Sequence, residues 1–393
     1  MNSSKNQNVM LDCQRHLYQL SEGVTYLNCA YMSPQLKCVE AAGAHALAQK
    51  NRPERVGIAD FFEPVDRLKA AFAELIGADD PGRIAIMPSV SYGIATVARN
   101  LPLRAGQNLV LTHDQFPSNY YAWERLARER GAALRVVAAP ATGDRTQGWN
   151  AALLAAIDEN TAAVALGHVH WTDGTRFDLA ALRARSRAVG AWLVIDGTQS
   201  VGALPLNVAE LQPDALICAG YKWLMGPYGM TLAYMGPALD GGAPIEENWI
   251  NRRDSQVFRQ LVNYQPEYRP AANRYCVGEH SNFLLTPMME AALSQLLAWG
   301  VANIQDYCRR IGAEALDELA ALGVDMAPAD RRAHHLVGLR LGDAFDEQRL
   351  EQALGEQRVW VSVRGAAIRV APNVYNTPDD FGRLAECIRR AKR

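Results

Sequence analysis

Two residues of opposite charge follow neighbouring apolar runs of the sequence, where their side chains could do chemistry. Asp196 follows the run 191–195, and Lys222 follows the run 215–219 within a turn rich in glycine and proline. If both runs are parallel strands, their carboxyl ends bring the carboxylate and the amine to the sheet edge at which open α/β proteins bind ligands. An amine held there can attack a carbonyl carbon or move a proton. A plain ion pair between Asp196 and Lys222 is the alternative.

A turn suited to phosphate follows another apolar run. The chain contains no GxG sequence, which argues against the dinucleotide fingerprint and the Walker loop. Instead, the run 84–87 leads through a proline to Ser89, Val90 and Ser91 at the start of a predicted helix. Free backbone N–H groups and the helix dipole favour an anion at such a position. An ordinary serine N-cap would give the same pattern, so this turn by itself leaves both interpretations open.

The elements that position these residues alternate along the chain. Short apolar runs separated by segments of helical periodicity predict βαβ units and a mostly parallel, seven-stranded sheet covered by helices on both faces. The predicted strands cover residues 84–87, 109–112, 134–138, 162–166, 192–195, 216–219 and 231–234. Two helices, at 34–50 and 61–76, precede the sheet, and two more, at 288–299 and 301–322, follow it.

The chain of 393 residues exceeds what one hydrophobic core usually supports. We predict an N-terminal segment, 1–30, that joins the small domain or the active site, and a large ligand-binding domain, 31–286. Within the large domain, residues 237–286 turn polar and irregular, and so long an irregular stretch is more often functional than idle. A small α+β domain follows at 287–393. Its predicted elements are strands at 336–341, 358–362 and 367–370 and helices at 346–355 and from Pro378.

Composition and charge indicate which classes of protein can be excluded. A net charge of -2 without a basic run argues against nucleic acid as a partner. Apolar stretches fall short of the roughly 20 residues that a membrane helix needs. Seven cysteines without a CxxC motif favour a reducing cytoplasm over a disulfide framework. His168 and His170 share a strand face but have no third ligand, so no metal is predicted. We expect a soluble cytoplasmic enzyme.

Four segments in this order resemble the class V aminotransferase family of pyridoxal-phosphate enzymes, which have fold type I: DQFPSNYYAW, DGTQSVG, GYKWLMGP and RVAPNVYN. The similarity extends from YLNCAYMSP to IRVAPNVYNTPDDFGRL, nearly the whole chain. It is strongest to the branch of isopenicillin N epimerase-like proteins, with kynureninase and cysteine desulfurase as more distant relatives. The resemblance implies pyridoxal 5′-phosphate as cofactor, an α-amino acid as substrate, and a homodimer with the active site at its interface.

The resemblance also implies roles for the two charged residues and their neighbours. Lys222 matches the lysine that forms the Schiff base with the cofactor, the internal aldimine. Asp196 matches the carboxylate that keeps the pyridine nitrogen protonated, so that the ring can accept electrons from Cα. Gln199 matches the residue that hydrogen-bonds the ring hydroxyl. Phe116 matches the aromatic residue that stacks on the ring, where many desulfurases have histidine.

The remaining cofactor contacts are also carried over from the family. Ser89, Val90 and Ser91 match the loop that binds the phosphate. Tyr221 stands where desulfurases have a histidine, and its phenol could donate to a phosphate oxygen. Ala219 replaces a serine that many members use for the same purpose.

Other matches concern the substrate and the second subunit. Arg369 matches the arginine that binds the α-carboxylate, a role that its planar guanidinium suits. The asparagine that approaches the ring hydroxyl in relatives falls on or beside Trp171, so Trp171 or His170 lines the pocket instead. The threonine that a partner subunit donates to the phosphate has no clean counterpart. Candidates for its place and for other contacts across the interface are Glu279, His280, Ser281, Asn282, Asn248, Trp249 and Asn263.

The family allows several reactions. The branch resembled favours chemistry at Cα, as in an epimerase, or β-elimination, as in a lyase, through an external aldimine. A class V aminotransferase and a binding protein without turnover are the alternatives. Persulfide-forming desulfurases need a mobile cysteine ahead of the arginine that corresponds to Arg369. This chain has no cysteine between Cys308 and Cys387, so that activity is not expected.

Overall fold

A computed structural model describes residues 10–141, 144–364 and 367–393. Its helices are α1 Lys37–Gln49, α2 Glu63–Ile76, α3 Val90–Asn100, α4 Tyr121–Arg130, α5 Arg145–Ala156, α6 Leu179–Ala188, α7 Val208–Leu211, α8 Leu285–Trp299, α9 Val301–Ala321, α10 Glu347–Glu356 and α11 Pro378–Ala391. Its strands are β1 Thr25–Tyr26, β2 Ile84–Met87, β3 Asn108–Thr112, β4 Ala133–Val137, β5 Thr161–Gly167, β6 Trp192–Asp196, β7 Ala215–Ala219, β8 Thr231–Met235, β9 Val337–Leu339, β10 Val359–Trp360, β11 Ser362–Arg364 and β12 Ala367–Val370. Within these ranges, no helix combines the length and the apolar character needed to cross a membrane.

The central sheet has seven strands in the order β2-β8-β7-β6-β5-β3-β4. The five strands from β7 to β4 run parallel, while β8 is antiparallel to both of its neighbours. Both faces are covered, which explains the continuous apolar runs of the sequence. In β6, Leu193 and Ile195 face one hydrophobic cluster and Val194 faces the other, as the alternation of a strand requires. The predicted α/β class and mostly parallel sheet are confirmed.

Local sequence signals set several helix ends. The backbone of Gly77 after α2 and of Gly131 after α4 has φ of 64° and 66°, a left-handed conformation that glycine adopts without a steric penalty. Helix α11 begins at Pro378, as predicted. Thr377 and Asp380 form a capping box at its start.

The C-terminal part is built around a three-stranded antiparallel sheet in the order β11-β12-β9. The single strand predicted at 358–362 is wrong, because the chain changes partners there: β10 pairs with β1, and β11 pairs with β12. The pairing of β1 with β10 attaches the N-terminal segment to this part of the molecule. Of the predicted irregular stretch 237–286, residues up to 284 contain only short 3-10 helices as regular elements, and α8 begins at Leu285.

Candidate active site

A cavity of about 230 Å³ opens where the central parallel strands end. Gly167, Asp196 and Ala219 are the last residues of β5, β6 and β7, and all three line it. The start of α3 and the loops after β3, β5 and β7 supply the other walls. The parallel strands therefore bring their carboxyl ends to one site, as the spacing of Asp196 and Lys222 predicts.

Lys222 faces this cavity from the turn after β7 and is only 7% exposed. Its Nζ lies 5.4 Å from the ring centre of Phe116 and 5.5 Å from that of Tyr221. Burial lowers the pKa of Lys222 to about 8, with the positive charge of Arg369 acting in the same direction and Asp196 opposing it. A larger fraction of this amine is therefore neutral near pH 8 than of an ordinary lysine.

Asp196 enters the cavity from the end of β6. Its Oδ1 accepts a hydrogen bond from the backbone N–H of Thr198 at 3.0 Å. Burial raises the pKa of Asp196, while the hydrogen bonds from Thr198 and the charge of Lys222 lower it. The two groups attract each other electrostatically, but among the residues that the structure describes they form no ion pair within 4.0 Å. The ion-pair alternative is therefore not realised, and both groups remain available to a ligand.

Gln199 is held by contacts on both ends of its amide. Its Nε2 donates to the carbonyl of Ala30 at 3.1 Å, and its Oε1 accepts from the indole of Trp223 at 2.8 Å. The backbone carbonyl of Gln199 also lies 2.8 Å from Nε2 of His335. These contacts fix the orientation of the amide at the cavity wall, and no other described residue takes up its second N–H or its second lone pair, which a ligand could meet.

The start of α3 forms the cradle expected for phosphate. Ser89 is the N-cap: its Oγ accepts from the N–H of Tyr92 at 3.2 Å and lies 2.9 Å from the Oγ of Ser91. The first N–H groups of a helix have no acceptor within the helix. Ser89, Val90 and Ser91 line the cavity, so these donors and hydroxyls meet where an anion would be stabilised. Tyr221 lines the cavity too, with its ring packed against that of Tyr228.

Aromatic residues form one wall. Phe116 and Trp171 pack edge to face with ring centres 5.3 Å apart. The indole of Trp171 donates to the carbonyl of Asp114 at 2.6 Å. His170 also lines the cavity, but its ring packs against Trp149, and its Nδ1 lies 2.8 Å from the hydroxyl of Thr172. Over the described ranges, no cluster of three potential metal ligands includes it.

Arg369 lies on β12 behind Trp171 and does not line the cavity itself. It is 2% exposed, and its Nη1 donates to the carbonyl of Trp171 at 2.9 Å. Its Nε has no hydrogen-bond partner among the described atoms. Burial lowers the pKa of Arg369 to about 10. A buried guanidinium without a carboxylate is costly, so this group suits an anion that arrives from outside.

The residues predicted to reach another subunit lie elsewhere. Ser281 and Asn282 line a second cavity of about 670 Å³ beside α1 and α2. Asn248, Trp249 and Asn263 line a third of about 480 Å³. The backbone of Glu279 has a left-handed φ of 59°, and His280 is buried. None of these residues lines the cavity that contains Lys222 in the same chain, and their contacts with a partner stay a prediction.

Several lining residues were not predicted: Gln115, Ser118, Thr198 and Tyr228. The amide of Gln115 donates to the carbonyl of Ala165 at 3.0 Å, and the hydroxyl of Thr198 accepts from the N–H of Ala219 at 3.2 Å. Gln115, Ser118 and Thr198 stand within the motifs DQFPSNYYAW and DGTQSVG, which could have indicated them. Tyr228 has no comparable signal.

The donor set fits pyridoxal 5′-phosphate. One cavity combines a carboxylate at a strand end, an amine of lowered pKa, a helix N-terminus with two hydroxyls and an aromatic ring. These suit, in turn, a protonated ring nitrogen, an aldehyde, a phosphate and a flat ring.

Comparison with known proteins agrees with this geometry. Residues 45–378 match the family described as Aminotransferase class-V. The uncharacterized aminotransferase YcbU of Bacillus subtilis is 28% identical over 81% of this chain and 81% of its own length. Isopenicillin N epimerase of Streptomyces clavuligerus is 26% identical over 81% of this chain and 82% of its own. The crystal structure of the cysteine desulfurase CsdA of Escherichia coli superimposes with a TM-score of 0.80 at 18% identity, over 96% of this chain and 97% of CsdA. The predicted fold is thereby confirmed.

Proposed function

Since this chain belongs to the class V aminotransferase family, whose cofactor is pyridoxal 5′-phosphate, we propose that it acts on an α-amino acid by moving the proton at Cα, in an epimerisation or a β-elimination. The observation that carries the proposal is the buried Lys222 amine, which lines the cavity and whose pKa burial lowers to about 8. A general base is most effective when its pKa lies near the working pH.

Residues of this chain would hold the cofactor as follows. Pyridoxal phosphate, when bound, supplies the electron sink that makes the Cα proton acidic. Asp196 would accept a hydrogen bond from the ring nitrogen, and the N-terminus of α3, with Ser89 and Ser91, would hold the phosphate. Phe116 would limit the movement of the ring.

Lys222 and Arg369 act on the substrate. Arg369 binds the α-carboxylate through its planar guanidinium, and the Trp171 carbonyl at 2.9 Å holds that group in place. Lys222, in its neutral form, accepts the Cα proton. In an epimerisation Lys222 keeps this proton, and a second donor on the opposite face of Cα, such as water, supplies the proton that replaces it. In a β-elimination Lys222 keeps the proton while the leaving group departs from Cβ.

We propose further that the protein does not form a persulfide on a cysteine of its own, although relatives named cysteine desulfurase match the chain. No cysteine of the described residues lines the cavity. Cys29, whose thiol is influenced by Lys222 and Arg369, is 0% exposed, and burial raises its pKa to about 12. A thiol in that state is a poor nucleophile. Incubation with cysteine should leave the protein free of persulfide by mass spectrometry.

The amine is tested directly by borohydride reduction of the holoenzyme followed by peptide mapping. We expect the cofactor to be attached covalently at Lys222 and nowhere else. Lys222→Ala is the matched control and should carry no label. Attachment at a different lysine, or none in the parent protein, would refute the proposed role.

Incubating the holoenzyme with a panel of amino acids in deuterated water and analysing the products identifies the reaction type. Deuterium at Cα without another product supports epimerase-like chemistry, whereas a keto acid with ammonia supports β-elimination. A class V aminotransferase remains the second candidate because YcbU is named an aminotransferase. That reaction would depend on an added keto acid. Bound cofactor without any product would favour a binding protein and contradict the proposal.

A homodimer is also proposed. Phe61, Trp249, Phe258 and Phe283 form a chain of edge-to-face aromatic contacts at the surface, with Trp249 40% and Phe283 41% exposed. Such a patch is suited to burial against a second copy. Light scattering during size-exclusion chromatography should give a molecular mass twice that of one chain.

A further inference from the structure

Arg364, a second arginine, lies on the same sheet face as Arg369. Strands β11 and β12 pair antiparallel, with Ser362 opposite Arg369 and Arg364 opposite Ala367. Paired residues point to one face, and so do residues two apart along a strand. Arg364 and Arg369 are therefore diagonal neighbours on one face. Such neighbours have Cα atoms about 7–8 Å apart, within reach of one ligand for long side chains.

Neither arginine has an anionic partner. No carboxylate of the described residues lies within 4.0 Å of either guanidinium, and the positions outside those ranges hold no Asp or Glu in the sequence. The Nη1 of Arg364 donates to the carbonyl of Val363, its own chain neighbour, at 2.8 Å. Arg369 contacts the carbonyl of Trp171. Two cations on one face thus have only neutral acceptors.

Arg364 is linked to the cavity through Arg369. The Nη1 of Arg369, the diagonal neighbour of Arg364, donates to the carbonyl of Trp171, which lines the cavity. In the same direction as burial, the main cause in both cases, the positive charge of Arg364 lowers the pKa of Arg369 and that of Lys222. One α-carboxylate would be matched by Arg369 alone. Apart from Lys222, no lysine or arginine is among the lining residues, so a second anion would have to be met, like the α-carboxylate, by an arginine beyond them.

We propose that the substrate is an α-amino acid with a second anionic group on its side chain, which Arg364 binds while Arg369 binds the α-carboxylate. This inference rests on the proposed function, because it assumes that the cavity takes an amino acid. Guanidinium and carboxylate groups match in geometry as well as in charge, so an amino acid with an acidic side chain should bind more tightly than its neutral amide. Dicarboxylic amino acids are the simplest members of this class.

Binding is measured on the holoenzyme through the visible absorbance band of its cofactor, titrated with glutamate, glutamine, aspartate and asparagine. We expect at least one acid to bind about tenfold or more tightly than its amide, as a charge-assisted hydrogen bond predicts. Arg364→Gln should remove that preference and leave the amide's dissociation constant within about twofold. Arg364→Lys keeps the positive charge but loses the planar guanidinium, so this variant should retain part of the preference for the acid.

Arg383→Gln is the matched control, because it removes one positive charge from an exposed position on α11. It should leave the preference unchanged. If amino acids bind but acids and amides bind equally, or if Arg364→Gln keeps the preference, the inference is overturned while the proposed function stands. If none of the four amino acids perturbs the band and borohydride fails to label Lys222, both proposals fall.

Discussion

Replacing Lys222 by methionine should stabilise the cofactor-free protein at neutral pH. The pKa of Lys222 falls from 10.5 to about 8 because burial disfavours its charged form. At about 1.4 kcal/mol per pKa unit, this fall corresponds to about 3 kcal/mol. The folded state binds the proton less tightly than the unfolded chain, so the charge costs stability in full below pH 8. The cost fades between pH 8 and 10.5 and is absent above that range.

Urea unfolding at one protein concentration measures this effect. At pH 7 Lys222→Met should raise the free energy of unfolding by about 2–3 kcal/mol, and near pH 10.5 most of the gain should have disappeared. Lys50→Met, at an exposed position after α1, is the control and should show no gain at either pH. A variant that is no more stable at pH 7, or equally stabilised at both pH values, would refute the account of Lys222 as a buried amine of lowered pKa. A stabilised variant without activity is the usual trade-off at a functional site.

Three further substitutions test other parts of the site. Asp196→Asn removes the anion proposed to hold the ring nitrogen, so Cα deuterium exchange should fall at least about tenfold while borohydride still labels Lys222; unchanged exchange would contradict that role. Ser89→Ala removes the N-cap acceptor of the Tyr92 N–H. It should lower stability by about 1 kcal/mol and weaken cofactor binding in equilibrium dialysis, whereas Ser89→Thr should retain most of both. Trp171→Phe removes the indole donor to Asp114. It should raise KM for the amino acid more than it lowers kcat, and an effect on cofactor affinity alone would speak against a substrate-side position.

Much of the fold was predictable because its signals are local. Strands buried on both faces appear as continuous apolar runs, and the run at 84–87 matches β2 residue for residue. Helix ends were predictable where the chain supplies a stop or a cap, as at Pro378. The strand at 358–362 was wrong because its division into β10 and β11 depends on two partners distant in sequence. The sequence of these few residues does not indicate which strand pairs with β10 and which pairs with β11.

From the sequence alone it follows that a carboxylate and an amine come after two neighbouring apolar runs, and that two serines stand at the start of a predicted helix after a third run. Those are properties of short segments, and parallel pairing brings them to one edge. Tertiary structure alone decided the rest. The contact between Arg369 and the carbonyl of Trp171 spans 198 positions of the chain. The lowered pKa of Lys222 depends on what covers it and on charges from the C-terminal part of the molecule. Burial and electrostatics act through space, so the chemical state of these groups depends on packing between segments far apart in sequence.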